Sequence, residues 1–479
     1  MPVINFYPPY YNTAGIANSV AITEAQDVYF ESRAEGQFSV RRRPGLELMS
    51  GITSDIGQGM YWSNRMQCLF VVASGKFYKY TDAFGTNIEL TGVNLDDGTP
   101  ATFAEAQKLD LSPICYVANN SLLAYTDGST IVNPDDPATP TSTMVTSYNN
   151  RVWANDVFHR QDFYVTDVNE DGINDPTYWS SSVNPFRAGQ KPDNIVAMAS
   201  SWNEVLIWGC DSCEVWQEDG VTPVSPLVGS SIEAGIFAPH SLKKANNTWF
   251  ALACLQGKRA VIKLNSRSPQ VISEPIANEL ASYNTVSDAR GMVIFTGGLN
   301  MYVLNFPTEK KTWAYDMKTE TWTRWGVWDS SQAKYNNFLG VDALFSPLWN
   351  KHIIQTQQGS LYTISRQNYT DANTAIRSKV VTGWIDHGTW GRKRSDQLII
   401  KLQTNQQGNY KILMRHRDDG RPQWSNYMEI PVSYLGAADS FAKLNRLGTY
   451  RSRQYEFIMT DPVDMAIVGL EEDVTGAIS

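Results

Sequence analysis

Short apolar runs separated by turn residues recur along this chain, and the clearest copies lie between residues 149 and 220. Segments 151–154, 163–166, 195–199, 205–208 and 214–217 are rich in aromatic and β-branched side chains, and each is too short to form a buried helical stripe. Asn149-Asn150, Asp171-Gly172, Asp175-Pro176, Trp202-Asn203 and residues 209–212 punctuate them. Such runs read as half-buried strands joined by tight turns. The strand–turn–strand phrase returns near residues 59, 114, 144, 195, 241, 288 and 338. A period of about 45–50 residues is that of a β-propeller blade, four short antiparallel strands each. The expected fold is all-β, with a β-propeller of about six blades over residues 58–377, five and seven being the alternatives. Residues 131–143 and 221–237 read as insertions, and neither substantial helix nor parallel sheet is expected.

The flanks differ. Residues 1–57 are Pro-restrained and irregular, with strands expected at 28–31 and 38–40, and they read as an extended N-terminal segment contributing to a platform. In Arg43-Pro44-Gly45-Leu46, Pro at the second position and Gly at the third suggest a turn with positive φ at Gly45. Residues 378–479 alternate cleanly in polarity and read as an antiparallel β-sandwich, the platform domain. The charge shifts at the same place. Residues 378–479 carry 13 basic and 12 acidic side chains, residues 1–377 carry 27 and 37, and the net charges of +1 and −10 make the −9 of the whole chain.

An acidic chain is not built to grip nucleic acid globally, because that requires Lys and Arg to displace counterions from phosphates. Two local basic spots, Arg41-Arg42-Arg43 and residues 391–394, read as solvated turns or binding patches. Five widely spaced cysteines do not make a disulfide framework, and the lone CxxC of Cys210 and Cys213 lacks the further ligands of a zinc site, so reduced thiols are expected. The start of the chain lacks a basic, then apolar, leader, and the longest apolar run, 68–73, is far too short to span a bilayer.

No catalytic motif stands out. The five histidines are scattered, and there is no GxSxG, P-loop, HExxH or GxGxxG. Residues 418–424, DDGRPQW, resemble the Asp-box of sialidases, a structural hairpin turn. The loop from Asp167 is sharper. Asp167, Asn169, Asp171 and Asp175, with the carbonyl of Ile173, have the spacing of the first part of a calcium loop, but Tyr178 stands where such a loop places its bidentate Glu. Calcium and an acidic solvent turn are both open readings, and no other cofactor is expected.

Several stretches resemble the tail-nozzle proteins of short-tailed (podovirus-type) phages, also called packaged-DNA stabilisation proteins. These are Asn150-Arg151, Tyr164-Val165-Thr166-Asp167, Asp175-Pro176, Trp179, Pro192-Asp193-Asn194-Ile195, the run from Gly209 to Trp216, Gly220, and Ile232-Glu233-Ala234-Gly235 with Ala238 and Ser241. Arg43-Pro44-Gly45, Arg446-Leu447-Gly448 and Arg451-Ser452-Arg453 extend the likeness weakly towards both ends. The resemblance implies a non-enzymatic virion protein, a propeller subunit of a homohexameric ring below the portal and adaptor that retains packaged DNA and guides its ejection. Its implied partners are the tail adaptor, tail fibre or tailspike, tail tip or needle proteins, and double-stranded DNA passing without sequence recognition. Its implied place is the phage tail, after assembly in the host cytoplasm. The competing readings are a glycan-binding or glycan-cleaving propeller, which the 15 Trp and the Asp-box-like turn would suit, and a generic propeller scaffold.

Overall fold

The structure is a computed structural model that describes the chain except residues 1–2, 10–18, 34–36, 51–55, 84, 121, 169–171, 173, 202, 219–222, 405, 434–438 and 477–479. Strands dominate it, and among the described residues the single α-helix is the short Ala277–Ser282. No helix among them is long and apolar enough to cross a membrane.

Six blades come from consecutive strands of the chain. The first comprises Gly57–Ser63, Cys68–Ala73, Lys76–Tyr80 and Asn87–Leu90, and the second Thr102–Gln107, Pro113–Asn119, Leu122–Thr126 and Ile131–Val132. The third runs from Val145–Tyr148 to Phe186–Arg187 and the fourth from Ala197–Ser201 to Ser225–Pro226. In the fifth, Gly235–Ile236 and Lys243–Ala245 both pair with Thr248–Leu255, followed by Lys258–Asn265 and Ser268–Val271. The sixth runs from Arg290–Thr296 to Thr321–Arg324. A seventh sheet of mixed origin closes the ring. Gly340–Ser346, Lys351–Thr356 and Leu361–Ser365 are completed by Gly45–Ser50 from the N-terminal segment.

Closure is visible in the cores. Alternation along each strand buries both faces of a blade against its neighbours, so the apolar clusters form between blades. One joins Phe70 and Val72 to Val117, and the next joins Tyr116 to Val152 and Trp179. The series continues through Trp153 with Ile207, Trp208 with Ala253, Phe250 with Tyr302, and Met301 with Ile354. The last, Trp62 and Val71 with Ile353 and Leu361, packs the seventh sheet on the first.

The platform is a sandwich. One layer holds Lys393–Gln403, Asp439–Tyr450 and Ala466–Gly476 with Phe38–Arg42, and the other holds Ser378–Thr382, Arg453–Met459, Asn409–Asp418 and Met428–Ser433 with Ser19–Gln26. Their inner faces share one core, from Phe6 and Val40 to Phe457 and Ile467.

Several expectations change. The stretches 131–143 and 221–237 are not mere insertions, because Ile131–Val132 and Ser225–Pro226 are outer blade strands and Gly235–Ile236 opens the fifth sheet. Short parallel pairings occur against expectation: Val3–Tyr7 beside Ser19–Gln26 in the sandwich, Gln26 beside Arg324 at the junction, and Asp371 beside Leu46 in the closing sheet, where distant segments rather than hairpins meet. Gly45 opens a strand rather than occupying a positive-φ turn. It is glycine because a Cβ there would lie 2.2 Å from the Thr370 carbonyl oxygen.

Candidate functional site: the axial network and the ring–sandwich junction

The first strands of successive blades lie side by side around the propeller axis, and three of them bring charges together there. Lys243 of the fifth blade donates from Nζ to Asp342 Oδ1 of the seventh at 2.7 Å. Asp342 Oδ2 accepts the Met60 N–H of the first blade at 3.0 Å. Arg290 of the sixth blade donates to the carbonyls of Gly57 (3.1 Å) and Gln58 (3.0 Å) in the first. The Lys243 and Arg290 bonds each skip a blade, so the network ties the first strands of four consecutive blades together. Burial alone would raise the Asp342 carboxyl, but Lys243 and then Arg290 hold it below its ordinary value. Burial, then Arg290 and Lys243, push His240 beside them down to about 3, so its ring is neutral. The ions answer one another and the backbone, which makes this a brace rather than a reactive centre. Sequence reading missed it. The available signal was a lone charge, Arg290 or Asp342, inside an apolar first-strand copy.

A second brace joins ring to sandwich. The buried Arg43 guanidinium donates from Nε to Asp27 at 2.6 Å and from its terminal nitrogens to Asp371 at 2.5 and 3.0 Å and to the Gly326 carbonyl at 3.1 Å. It lies over the rings of Trp325 and Phe338. Burial would lower Arg43, but Asp371 and Asp27 raise it above the ordinary guanidinium range, so it stays charged. Arg41 pairs with Glu31 and Asp464, and Arg42 donates to the Ile376 carbonyl at 2.7 Å. The first basic spot is therefore neither a solvated turn nor a binding patch, because its charges are spent inside. In the second, Lys393 is buried on the carbonyls of Thr389 and Gly391, while Arg392 and Arg394 are exposed.

Of the calcium candidates, Asn169, Asp171 and Ile173 lie outside the described residues. Asp167 is buried, and its Oδ1 accepts from Val168 N at 2.8 Å and from Arg151 Nη1 at 3.2 Å. Asp175 Oδ1 accepts from Thr177 N and Oγ1 at 2.9 and 2.7 Å. The two aspartates are brought together by backbone, Asp175 N donating to Asp167 O at 3.0 Å, while their carboxylates serve the surrounding turn.

The CxxC and the motif around it are also structural. Asp193 accepts from the backbone N–H groups of Cys210, Asp211 and Ser212 at 2.8–3.0 Å, and these bonds hold its carboxyl below its ordinary value against partial burial. Gly209 is required because a Cβ would lie 2.2 Å from the Asp193 carboxylate, and Gly235 because a Cβ would lie 1.9 Å from the Cys210 carbonyl oxygen. Glu214 accepts from Gln190 N and Trp216 Nε1 at 2.7 and 3.0 Å. In the Asp-box-like turn, Asp418 pairs with Arg453, Asp419 accepts the N–H groups of Arg451 and Ser452, and Trp424 stacks on Arg415 and Arg417.

Comparison with curated protein sequences finds no match. Among solved structures, the chain is similar to streptogramin B lyase, at 10% identity and TM-score 0.42 over 67% of this chain and 98% of that one. It is also similar to YCF48 from Cyanidioschyzon merolae, at 14% identity and TM-score 0.37 over 67% and 99%. Likenesses this distant carry nothing about function. Residues 26–368 match the family described as bacteriophage P22 Gp10, β-propeller, a span that takes in almost the whole ring and the strand that closes it. The chain therefore belongs to this phage-stabilisation family, the tail-nozzle or packaged-DNA stabilisation proteins of short-tailed phages, which are structural components of the virion.

Proposed function

We propose that the protein forms the tail nozzle, a hexameric ring below the portal and adaptor that holds the packaged genome and then conducts it out. Family membership carries this reading. The axial network supports it as a rigid frame: Lys243, Arg290 and Asp342 tie the first strands of the fifth, sixth, seventh and first blades together. A wall that retains a duplex yet lets it slide should repel phosphates rather than bind them. The net −10 of residues 1–377 supplies that repulsion, over a reach of roughly 8 Å at physiological salt. The ring would meet the adaptor on one side and the tail fibre or tailspike and tip or needle proteins on the other, after assembly in the host cytoplasm. The work is mechanical, with no reaction catalysed and no sequence read.

The test is the native mass of the purified chain together with its affinity for duplex DNA at low salt. A particle of about six subunits with little DNA affinity is expected. A monomer, or tight and salt-sensitive DNA binding, would overturn the proposal.

A further inference from the structure

Two surfaces of the chain, each braced by its own loop hydrogen bonds, present groups to solvent that the fold does not use. The first is the loop end of the sandwich. Trp390 is 84% exposed there. Arg451 donates from Nη1 to the Trp390 carbonyl at 3.0 Å, and Asp419 accepts the Arg451 N–H at 2.6 Å, so three loops are tied into one tip. Exposed Arg392, Arg421 and Arg451 stand on these loops. An exposed Trp among arginines has the composition of an interface anchor. It also lies in the part of the chain with a net charge of +1.

The second surface is an open cavity of about 650 Å³ at the outer rim of the second and third blades. Tyr125, Asp135, Asp136, Pro137, Asp175 and Tyr178 are among its walls. It offers aromatic and proline surface under a group of carboxylates, the complement of a Trp flanked by guanidinium groups. Its volume leaves room for an indole ring. The sandwich is fastened to the sixth and seventh blades, through Gln26 beside Arg324 and through Arg43 on Asp371, whereas the cavity opens across the ring.

We propose that the Trp390 tip of one copy docks in the rim cavity of a second copy of this chain. This rests on the ring reading above and names the surfaces that would build it. Because the two patches differ, the contact is head-to-tail, the class that generates rings when its rotation closes. Trp390 fills the cavity, and Arg392 and Arg451 approach Asp135 and Asp175. Part of the attraction is between exposed charges, so assembly should weaken as salt rises.

The test uses the full-length chain and native mass across a concentration series. The variants are Trp390→Ala, Arg392→Glu, Asp135→Arg and the double exchange Arg392→Glu/Asp135→Arg. All three positions are surface positions, and circular dichroism checks that each variant folds. Trp390→Ala and each single charge reversal should raise the concentration at which the ring dissociates at least tenfold, and the double exchange should recover most of that loss. If every variant assembles like wild type, or if the double exchange only adds the two defects, the docking is wrong and the ring reading stands. A wild-type chain that is monomeric overturns both. If the tip variants leave the mass unchanged but abolish a gel shift of short duplex DNA at low salt, the tip is a nucleic-acid surface and the docking is likewise overturned.

Discussion

Removing the Asp342 carboxylate tests the axial brace directly. In Asp342→Asn the two cations that face it, Lys243 and Arg290, keep their charges and lose their shared counter-ion, while one amide oxygen can still take the Met60 N–H. Breaking a buried pair by deleting one partner costs about 3–5 kcal/mol. The Lys243 side chain is one-third exposed and regains part of its hydration, which places the expectation near the lower end, about 3 kcal/mol. Against a typical stability of about 5–15 kcal/mol this is a large fraction. The assay is chemical denaturation followed by Trp fluorescence for wild type, Asp342→Asn, Lys243→Met and the double variant. If the ions are coupled, the double variant should be about 1.5–3 kcal/mol more stable than the sum of the single losses predicts. Strict additivity, or single losses of about 0.5 kcal/mol or less, would refute the brace.

Three further outcomes are expected. Arg43→Ala leaves Asp27 and Asp371 buried without their counter-ion and should cost about 3–5 kcal/mol, opening the ring–sandwich junction to limited proteolysis; Arg43→Lys should not rescue it, since a single ammonium cannot reproduce the forked contacts. Burial pushes His352 down to about 4, and its Nε2 accepts the Phe295 N–H at 3.0 Å, so it folds neutral. Its contribution is complete above the ordinary value of 6.5 and is lost as pH falls towards 4, about 3 kcal/mol over that window; stability against pH should show this fall in wild type and a flatter curve in His352→Gln. For the Asp167 loop we propose weak calcium binding through Asp167, Asn169, Asp171, the Ile173 carbonyl and Asp175, weak because the ion must displace Arg151 from Asp167. Isothermal titration should show affinity in the millimolar range that tightens in Arg151→Ala, and no heat in either chain would leave the loop a plain turn.

The repeat was legible because its second and third strands are long enough to carry pattern: Cys68–Ala73 and Lys76–Tyr80, or Glu204–Trp208 and Cys213–Gln217, announce themselves. Outer strands of two residues, such as Ile131–Val132, Phe186–Arg187 and Ser225–Pro226, leave no period to read. The strand Gly45–Ser50 could not be assigned locally either, because what defines it is pairing with Leu361–Ser365, far along the chain. Around Gly209–Trp216 the residues that matter were visible but their work was not. Asp193 lies well before the turn it braces, and only the fold shows that its carboxylate gathers three N–H groups. The axial ions were hidden for the same reason, sitting one per blade in separate copies of the phrase.

The zip between Gly45–Ser50 and Leu361–Ser365 also sets a clock for biosynthesis. About 300 residues separate the two strands, which at 5–20 residues per second is roughly 15–60 s of ribosome time during which the early strand has no partner. The sandwich waits longer still, since Phe38–Arg42 lies beside Ala466–Gly476. Blades can form one after another as they emerge, but the circle closes only once Leu361–Ser365 is made, and the platform only after Ala466–Gly476. A product terminated before Leu361 therefore lacks both closures, and one terminated between the two points can close the ring without completing the platform.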